Sequence, residues 1–392
     1  MGSGRTPPTE DDVQAVMRGV VDPELGADLV DLGMYRGARI DDGGTVTVEV
    51  ALTTAGCPLR AQIARDVKGR VGSLPGVTEV VVRTVEMSSQ QKKELMAKAR
   101  ARAAEHPVAT DVPARTRVLA VSSGKGGVGK SSVTVNLAAA LAARGLTVGL
   151  LDADIAGFSV PRMLGVDGEL KATPGLDGRP RIEPLEKPFG DGMVRVVSMG
   201  FLAPEGEAIM WRGQMLNRGV QHFLEEVAWG DLDYLLVDMP PGTGDIQMGL
   251  ARMLPRAEML IVTTPALAAQ KVASRAADMA RKGYLRVAGV IENMSGFVCS
   301  HGERYELFGS GGGSRLAEEI GVPLLGLIPI QPEVSAGGDA GRPASVGGGE
   351  AAAAFESLVD SVMEVAPVVD VAGCTARMLD EVRKRLDGPA AS

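Results

Sequence analysis

The sequence has few cysteines, few aromatic residues and no long apolar run, and each shortage argues against a class of protein. Its three cysteines, Cys57, Cys299 and Cys374, are odd in number and widely spaced, which argues against a disulfide framework and favours a reducing, cytoplasmic compartment. Aromatic residues make up 3% of the chain and the formal net charge is -8, so we expect no nucleic-acid partner. No apolar stretch is long enough to span a bilayer, and the first residues lack a signal-peptide core, so we expect no membrane partner either.

The overall composition is that of an ordinary protein with a hydrophobic core, and the pattern of apolar residues differs between the first part of the chain and the rest. Hydrophobic residues make up 45% of the 392 residues and charged residues 23%, enough for two domains. An alternating apolar stretch at 46–52, a helical pattern at 59–71 and a second strand at 77–85 predict a small α+β domain over residues 1–87. A polar, alanine-rich linker is predicted for 88–115, a larger domain for 116–366 and an amphipathic helical tail for 367–392.

The larger domain alternates short apolar strands with helical patterns, which predicts an α/β fold with a doubly wound, mostly parallel sheet. Ligands of such sheets bind at the carboxyl ends of the strands. The proline- and glycine-rich stretch 166–192 is expected to be a surface excursion, and 351–365 a closing helix. The predicted strands lie at 117–121, 148–151, 194–197, 234–237, 259–262, 287–291 and 324–328.

A glycine-rich loop between the first of these strands and an apolar helix is the most informative motif. Its spacing, G-x-x-x-x-G-K-S, is that of a nucleotide phosphate loop, in which backbone N–H groups face phosphate oxygens. We expect Lys130 to reach the β- and γ-phosphates of ATP and the Ser131 hydroxyl to bind Mg²⁺. The predicted nucleotide-binding residues are Gly124, Lys125, Gly126, Gly127, Val128, Gly129, Lys130 and Ser131.

Three aspartates follow two other predicted strands. Asp152 and Asp154 follow the strand at 148–151, and Asp238 follows the strand at 234–237 in a Walker B arrangement. Carboxylate oxygens suit Mg²⁺, so we expect Asp152 and Asp238 to hold the ion, Asp152 through a water, and Asp154 to orient the attacking water. The alternatives are capping aspartates at a helix start and a structural turn. The glycines after Asp238 predict a mobile switch loop.

Taken together, these motifs resemble the Mrp/ApbC-type iron–sulfur cluster carrier ATPases, within the deviant Walker A class that carries an extra lysine in the phosphate loop. The amino-terminal part resembles a domain also found in iron–sulfur assembly factors. The phrases that carry both resemblances are Asp22-Pro-Glu24, Thr53-Thr-Ala-Gly-Cys-Pro-Leu-Arg60, Asp152-Ala-Asp-Ile-Ala-Gly-Phe-Ser-Val-Pro-Arg162, Met210-Trp-Arg-Gly213, Asp238-Met-Pro-Pro-Gly-Thr-Gly-Asp245, Glu292-Asn-Met294 and Phe308-Gly-Ser-Gly-Gly-Gly313.

The resemblance implies a cytosolic homodimer that hydrolyses ATP slowly, works with assembly factors and passes iron–sulfur clusters to apoproteins. It implies that Lys125 crosses the dimer interface to the partner's nucleotide, so the expected catalytic residues are Lys125, Lys130, Asp154 and Asp238. It also implies that Asn293 contacts adenine; the alternative is a turn asparagine.

The chain departs from the family where a C-x-x-C motif is expected. The segment 297–305 keeps Cys299 but has no second cysteine, although His301 follows closely. Clusters usually need four ligands, mostly thiolates, so Cys299 is either a cluster ligand shared across a dimer or a plain loop thiol. Cys57, just before a predicted helix, is either a reactive or cluster-holding thiol or a small buried residue. Cys374 is expected to be incidental, and the run 309–313 to be a glycine-rich start of a helix.

Two other functions remain open at this point. One is a partitioning or positioning ATPase that cycles on a surface, with the tail as its membrane helix. The other is a non-catalytic, nucleotide-gated adaptor in iron–sulfur assembly.

Overall fold

The computed structural model describes residues 8–22, 27–52, 60–88, 90–91, 95, 110–154, 157–174, 180–202, 213–242, 253–254, 256–282, 285–299 and 301–368. Its helices are α1 Glu10–Met17, α2 Arg60–Gly72, α3 Lys130–Ala143, α4 Val160–Leu164, α5 Gly213–Glu226, α6 Leu267–Lys282, α7 Gly312–Ile320, α8 Pro332–Asp339 and α9 Glu350–Val365. Its strands are β1 Val21–Asp22, β2 Ala27–Asp28, β3 Tyr35–Ile40, β4 Thr45–Leu52, β5 Glu79–Glu86, β6 Arg117–Ser123, β7 Thr147–Asp152, β8 Lys171–Pro174, β9 Pro180–Glu183, β10 Leu185–Phe189, β11 Gly192–Ser198, β12 Tyr234–Asp238, β13 Glu258–Thr263, β14 Arg286–Val298, β15 Arg304–Tyr305 and β16 Leu324–Ile330.

The amino-terminal residues form the predicted small α+β fold. β4 pairs antiparallel with β3 and parallel with β5. The alternating residues of β4 turn one face inward, where Val46, Val48 and Val50 are fully buried against Ile63 of α2. Leu95, which lies in the predicted linker, also packs in this core. The domain boundaries themselves stay a prediction.

A nine-stranded, mostly parallel sheet forms the larger fold, as predicted. The strands follow the order β10-β11-β7-β12-β6-β13-β14-β15, and β16 pairs with β14. All neighbours are parallel except β10 with β11 and β14 with β15. Because the central strands are buried on both faces, their middle residues are apolar in succession rather than alternating with polar ones. One apolar cluster contains residues of α3 and α9, and a second contains residues of α5, α6 and α7.

Two elements differ from the sequence-based expectation. The stretch 166–192 is more than a surface excursion: it contains β8 and β9, which pair with each other, and β10, the antiparallel edge strand of the main sheet. β14 continues to Val298, well past the predicted end at 291. In both places the strand is defined by hydrogen bonds to a neighbour rather than by an apolar run of its own, so local pattern could not find it.

A buried ionic cluster joins the two folds at the amino ends of three adjacent strands. Arg117, Glu258 and Arg286 are the first residues of β6, β13 and β14. Asp66 of α2 accepts two hydrogen bonds of 3.2 Å from Arg117. Arg70 of α2 is 3% exposed and lies 4.0 Å from Glu258, which also accepts a 2.9 Å bond from Arg286. The amino-terminal fold is thus held at the edge of the sheet opposite the carboxyl ends.

The end of α9 is bound at the same place. The carbonyl of Val365 accepts a hydrogen bond from Arg286, and that of Pro367 from Arg117, at 3.2 and 2.8 Å. The hydroxyl of Tyr234 donates to the carbonyl of Ala366 at 2.6 Å. The bonds to Val365 and Ala366 satisfy carbonyl groups that a helix end leaves without intrahelical partners, and the bond to Pro367 holds the chain just after the helix. Among the described helices, none has the length and apolar character needed to cross a bilayer.

Candidate functional site

The predicted site residues converge because three neighbouring strands end together. β7, β12 and β6 are adjacent, and their last residues are Asp152, Asp238 and Ser123. Asp238 lies directly beside Asp152 in the strand register. The glycine-rich loop begins directly after Ser123. Asp152 and Asp238 therefore lie beside this loop, at the carboxyl ends of the strands.

The glycine-rich loop leads directly into α3, which begins at Lys130. Its backbone is braced by the Ser123 hydroxyl, which donates to the carbonyl of Lys125 at 3.0 Å. A Cβ on Gly124 would lie 2.3 Å from the backbone of Val272 in α6, so only glycine lets the loop approach this helix. Lys125 is exposed, and its contact with another subunit stays a prediction.

Lys130 is the buried cation of the site. Its side chain is 6% exposed, and its ammonium lies 2.8 Å from Asp238 Oδ1 and 3.7 Å from Asp154 Oδ2. The Ser131 hydroxyl donates to Asp238 Oδ2 at 2.5 Å. One lysine, one hydroxyl and two carboxylates from three separate chain segments therefore meet within hydrogen-bond or ion-pair distance. Their roles toward nucleotide and Mg²⁺ stay predictions.

Asp152, the last residue of β7, and Asp154, two residues later, lie in different electrostatic environments. Burial, together with the nearby charge of Asp238, raises the pKa of Asp152 to about 7, against the opposing effect of hydrogen bonds to its carboxylate and of the Lys130 charge. Burial also raises the pKa of Asp154, and the Lys130 charge opposes this. The Asp154 amide donates to Asp152 Oδ1 at 3.1 Å, so Asp152 also orders the turn that places Asp154.

Sequence reasoning missed two hydroxyl groups that hold the acids. Thr134 donates to Asp238 Oδ1 at 2.9 Å, and Ser198 donates to Asp152 Oδ2 at 3.0 Å. Thr134 follows Lys130 by four residues on α3, so helical spacing could have placed it on the same face. Ser198 ends β11 beside Asp152, which becomes visible only once the strand order is known.

The donor atoms of this site fit Mg²⁺ and a phosphate chain. Ser131 and the acids offer oxygen atoms alone, which a hard divalent cation prefers. A Cβ built on Gly126 or Gly127 would meet no atom within 4 Å, so the loop leaves open space in front of its backbone. The start of α3 adds partial positive charge there.

Asn293 contacts the phosphate loop itself. Its side-chain amide donates to the Val128 carbonyl at 2.9 Å. Gly129 has a φ of 79°, and a Cβ there would lie 2.2 Å from the Asn293 amide nitrogen. Asn293 therefore packs on the loop backbone at a position that only glycine permits. Its contact with adenine stays a prediction.

Cys299 lies in a tight hairpin at the end of β14. Its amide donates to the Glu303 carbonyl and its carbonyl accepts from the Gly302 amide, both at 2.9 Å. The thiol is half-buried and forms no disulfide, and His301 and Glu303 are exposed. The residues described here contain no group of three or more His, Cys, Asp or Glu side chains arranged to hold a metal ion. One hairpin therefore brings Cys299 and His301 into one turn but assembles no four-ligand site.

The second glycine-rich run behaves as predicted. It leads into α7, which begins at Gly312. The Gly313 amide donates to the buried carboxylate of Glu292, so this helix start already binds an anion.

Several predicted features lie outside the described residues. They are Cys57, Cys374, the part of the predicted switch loop beyond Gly242, the segment 210–212 and the tail beyond 368.

Comparison with known proteins matches residues 114–363 to the family described as NUBPL iron-transfer P-loop NTPase, and residues 10–82 to that described as iron-sulfur cluster assembly protein. The chain is 44% identical over 339 residues to the iron-sulfur cluster carrier protein of Mycobacterium leprae, covering 84% of this chain and 86% of that protein. It is 43% identical over 366 residues to the protein of that name from Synechocystis, covering 93% and 99%. A solved nucleotide-binding protein from Archaeoglobus fulgidus, in complex with ADP, is 36% identical with a TM-score of 0.48, covering 58% of this chain and 86% of that one.

Proposed function

The chain belongs to the family of iron-transfer P-loop NTPases, and from that premise we propose that it is a homodimeric ATPase that binds iron–sulfur clusters and passes them to apoproteins in the cytoplasm. The observation that supports this most directly is the buried Lys130, placed between Asp238 and Asp154 at the start of α3. The relatives named as cluster carriers support the cargo.

The nucleotide part of the proposal assigns a task to each group. Lys130 binds the β- and γ-phosphates, and its charge stabilises the transferring phosphoryl group. Ser131, Asp238 and Asp152 are the residues that would hold Mg²⁺, which when bound would neutralise phosphate charge. Asp154, which lies 3.7 Å from the Lys130 ammonium and whose pKa is raised by burial, orients the attacking water.

The proposal of a dimer is based on side chains that are exposed to solvent at the carboxyl ends of the strands, where the phosphate loop lies. Lys125 is solvent-exposed in the loop, so it can reach a second copy's nucleotide. The side chains of Tyr305, Leu307 and Phe308, just past the Cys299 hairpin, are 45%, 60% and 49% exposed. A run of exposed apolar side chains is typical of an interaction surface.

The cargo part depends on ligand number. A cluster takes four ligands in most proteins, and one chain offers Cys299 with His301 in this hairpin. Two copies related by a two-fold axis supply two thiolates and two imidazoles, a mixed set known from Rieske-type centres. Cys57 is the competing candidate.

Anaerobic reconstitution with iron and sulfide tests this assignment. We expect wild-type protein to take up cluster, Cys299→Ser to fall to near background, and insertion of a cysteine between His301 and Gly302 to raise yield and resistance to chelators. Cys57→Ser is the matched control, because it removes a thiol from the other fold.

Full loading of Cys299→Ser with loss in Cys57→Ser would move the cargo to the amino-terminal fold. No uptake by wild-type protein would contradict the carrier function. Absence of Mg-dependent ATP turnover would favour a nucleotide-gated adaptor instead.

A further inference from the structure

A single strand links the phosphate loop to the cysteine hairpin. β14 carries Asn293, which donates to the Val128 carbonyl of the loop, and continues to Val298. Cys299 follows directly. Five residues lie between Asn293 and Cys299, and six steps of extended chain span at most about 20 Å. One strand therefore contacts the phosphate loop through Asn293 and leads directly into the hairpin that contains Cys299.

The strand is broken between these two points. Asn293 pairs with Ile328 of β16 and Phe297 with Ile330, so four steps along β14 match two along its neighbour. Met294 sits at the start of this bulge with a φ of 57°, the single positive φ of a residue other than glycine in the described part of the chain. Residues with a side chain rarely hold this conformation, and such outliers persist where surrounding contacts impose them.

After the bulge at Met294, the end of β14 and the hairpin that follows it are joined by hydrogen bonds. Arg304 on the return strand donates to the Ser295 carbonyl at 3.2 Å. Phe297 pairs with Tyr305 and Val298 with Arg304. A rotation of the segment after Met294 would therefore carry the whole turn with Cys299.

We propose that Asn293 is a positioning residue that couples nucleotide binding in the phosphate loop, through the break at Met294, to the conformation of the Cys299 hairpin. The inference rests on the proposed nucleotide binding. A ligand shifts an equilibrium only through contacts that differ between the two states. In this proposal the Asn293–Val128 bond is the contact that differs, because it holds the backbone of the loop that would bind the phosphates. Met294, with a φ of 57° at the bulge, is the point at which the segment beyond Asn293 would turn.

Hydrogen exchange of the full-length protein, read by mass spectrometry, tests the coupling. Exchange is compared without nucleotide, with Mg-ADP and with a non-hydrolysable Mg-ATP analogue, each at saturation by calorimetry. Peptides over 124–136 report binding, peptides over 297–305 report the hairpin, and the turn at 41–45 in the amino-terminal fold is the remote reference. We expect nucleotide to change hairpin exchange at least threefold in wild-type protein.

Two variants at the break and one matched control isolate the contact. Asn293→Ala and Asn293→Asp remove the donor to Val128, and at saturating nucleotide each should reduce the hairpin response to less than half of wild type. Met294→Gly removes the strain and should also weaken the response. Asn136→Ala is the control: Asn136 is a buried asparagine on α3 whose amide donates to the Ser132 carbonyl at 2.8 Å and whose side-chain oxygen accepts from the Ser345 amide at 2.9 Å, so both of its hydrogen bonds go to residues outside β14. It should lower stability yet keep the full response.

The outcomes separate the two hypotheses. Protection of 124–136 with no change at 297–305 in wild-type protein overturns the coupling and leaves the proposed function standing. A full response in both Asn293→Asp and Met294→Gly also overturns it, because Asn293 would then have a structural role alone. No calorimetric binding and no loop protection would refute the nucleotide binding on which both depend. If Asn293→Ala does not fold, Asn293→Asp and Met294→Gly decide the question.

Discussion

Replacing Lys130 by alanine should abolish tight Mg-ATP binding. Lys130 is the one basic side chain that the described site places among its carboxylates, 2.8 Å from Asp238 and 3.7 Å from Asp154. With its charge removed, phosphates would enter a pocket in which buried carboxylates have no neighbouring ammonium group.

The size of the effect has two parts. A hydrogen bond to a charged group contributes about 1.5–3 kcal/mol, so the lost Lys130–phosphate contacts alone correspond to roughly a hundredfold in Kd. Repulsion adds to this: two unit charges 4 Å apart near a protein surface interact by about 4 kcal/mol, and Asp238 and Asp154 would both face the incoming anion. We expect affinity to fall by at least about a hundredfold.

Isothermal titration calorimetry with Mg-ATP measures this loss, and circular dichroism checks that the variant folds. Lys125→Ala is the matched control, since it removes the same charge from the same loop at an exposed position. It should bind ATP within a few-fold of wild type while suppressing turnover or ATP-dependent dimerisation. Unchanged affinity in Lys130→Ala, or equal losses in both variants, would refute the phosphate-loop reasoning.

Three further outcomes follow from the same geometry. Asp154→Asn should bind ATP but release phosphate on the order of 10²-fold more slowly; failure to bind would assign it a structural role. Arg70→Ala should destabilise the protein by about 3 kcal/mol in urea unfolding, because it removes a buried guanidinium beside Glu258, whereas Arg18→Ala, whose pair is exposed, should cost under about 1 kcal/mol; equal effects would contradict the buried cluster. In metal-free protein, the pKa of Asp152 lies above its ordinary 3.8, at about 7, so folding favours its protonated form. Its contribution to stability is complete below about pH 4 and is lost as pH rises to 7, and Asp152→Asn should flatten that slope in thermal unfolding.

The sequence predicted the features that local spacing encodes. The phosphate loop was found because glycines, Lys130 and Ser131 must follow one another along the chain, and Asp152 and Asp238 because each ends an apolar strand. The sheet followed from alternation of strand and helix patterns. These signals depend on residues that are neighbours in sequence.

The rest depended on contacts between distant segments. Nothing near Ser198 indicates that it will lie beside Asp152, because that needs the order β11-β7. The bond from Asn293 to Val128 joins residues 165 positions apart. The sequence also did not predict the buried cluster around Arg70. An arginine on a helix is expected to face solvent unless another part of the protein is known to pack against that helix.

The placement of that cluster bears on the proposed dimer. α2 is held at the amino ends of β6, β13 and β14, while the phosphate loop follows the carboxyl end of β6. The amino-terminal fold is therefore held away from the loop of its own chain, and Lys125 stays accessible. β14 extends six residues past its last pairing with β13, at Glu292, so the Cys299 hairpin projects from the same edge. Under the proposed function, a second copy that docks at this end of the sheet would face both Lys125 and Cys299. On the proposed function, one interface would then serve both hydrolysis and cluster binding, and a variant that disrupts dimerisation should lose both at once.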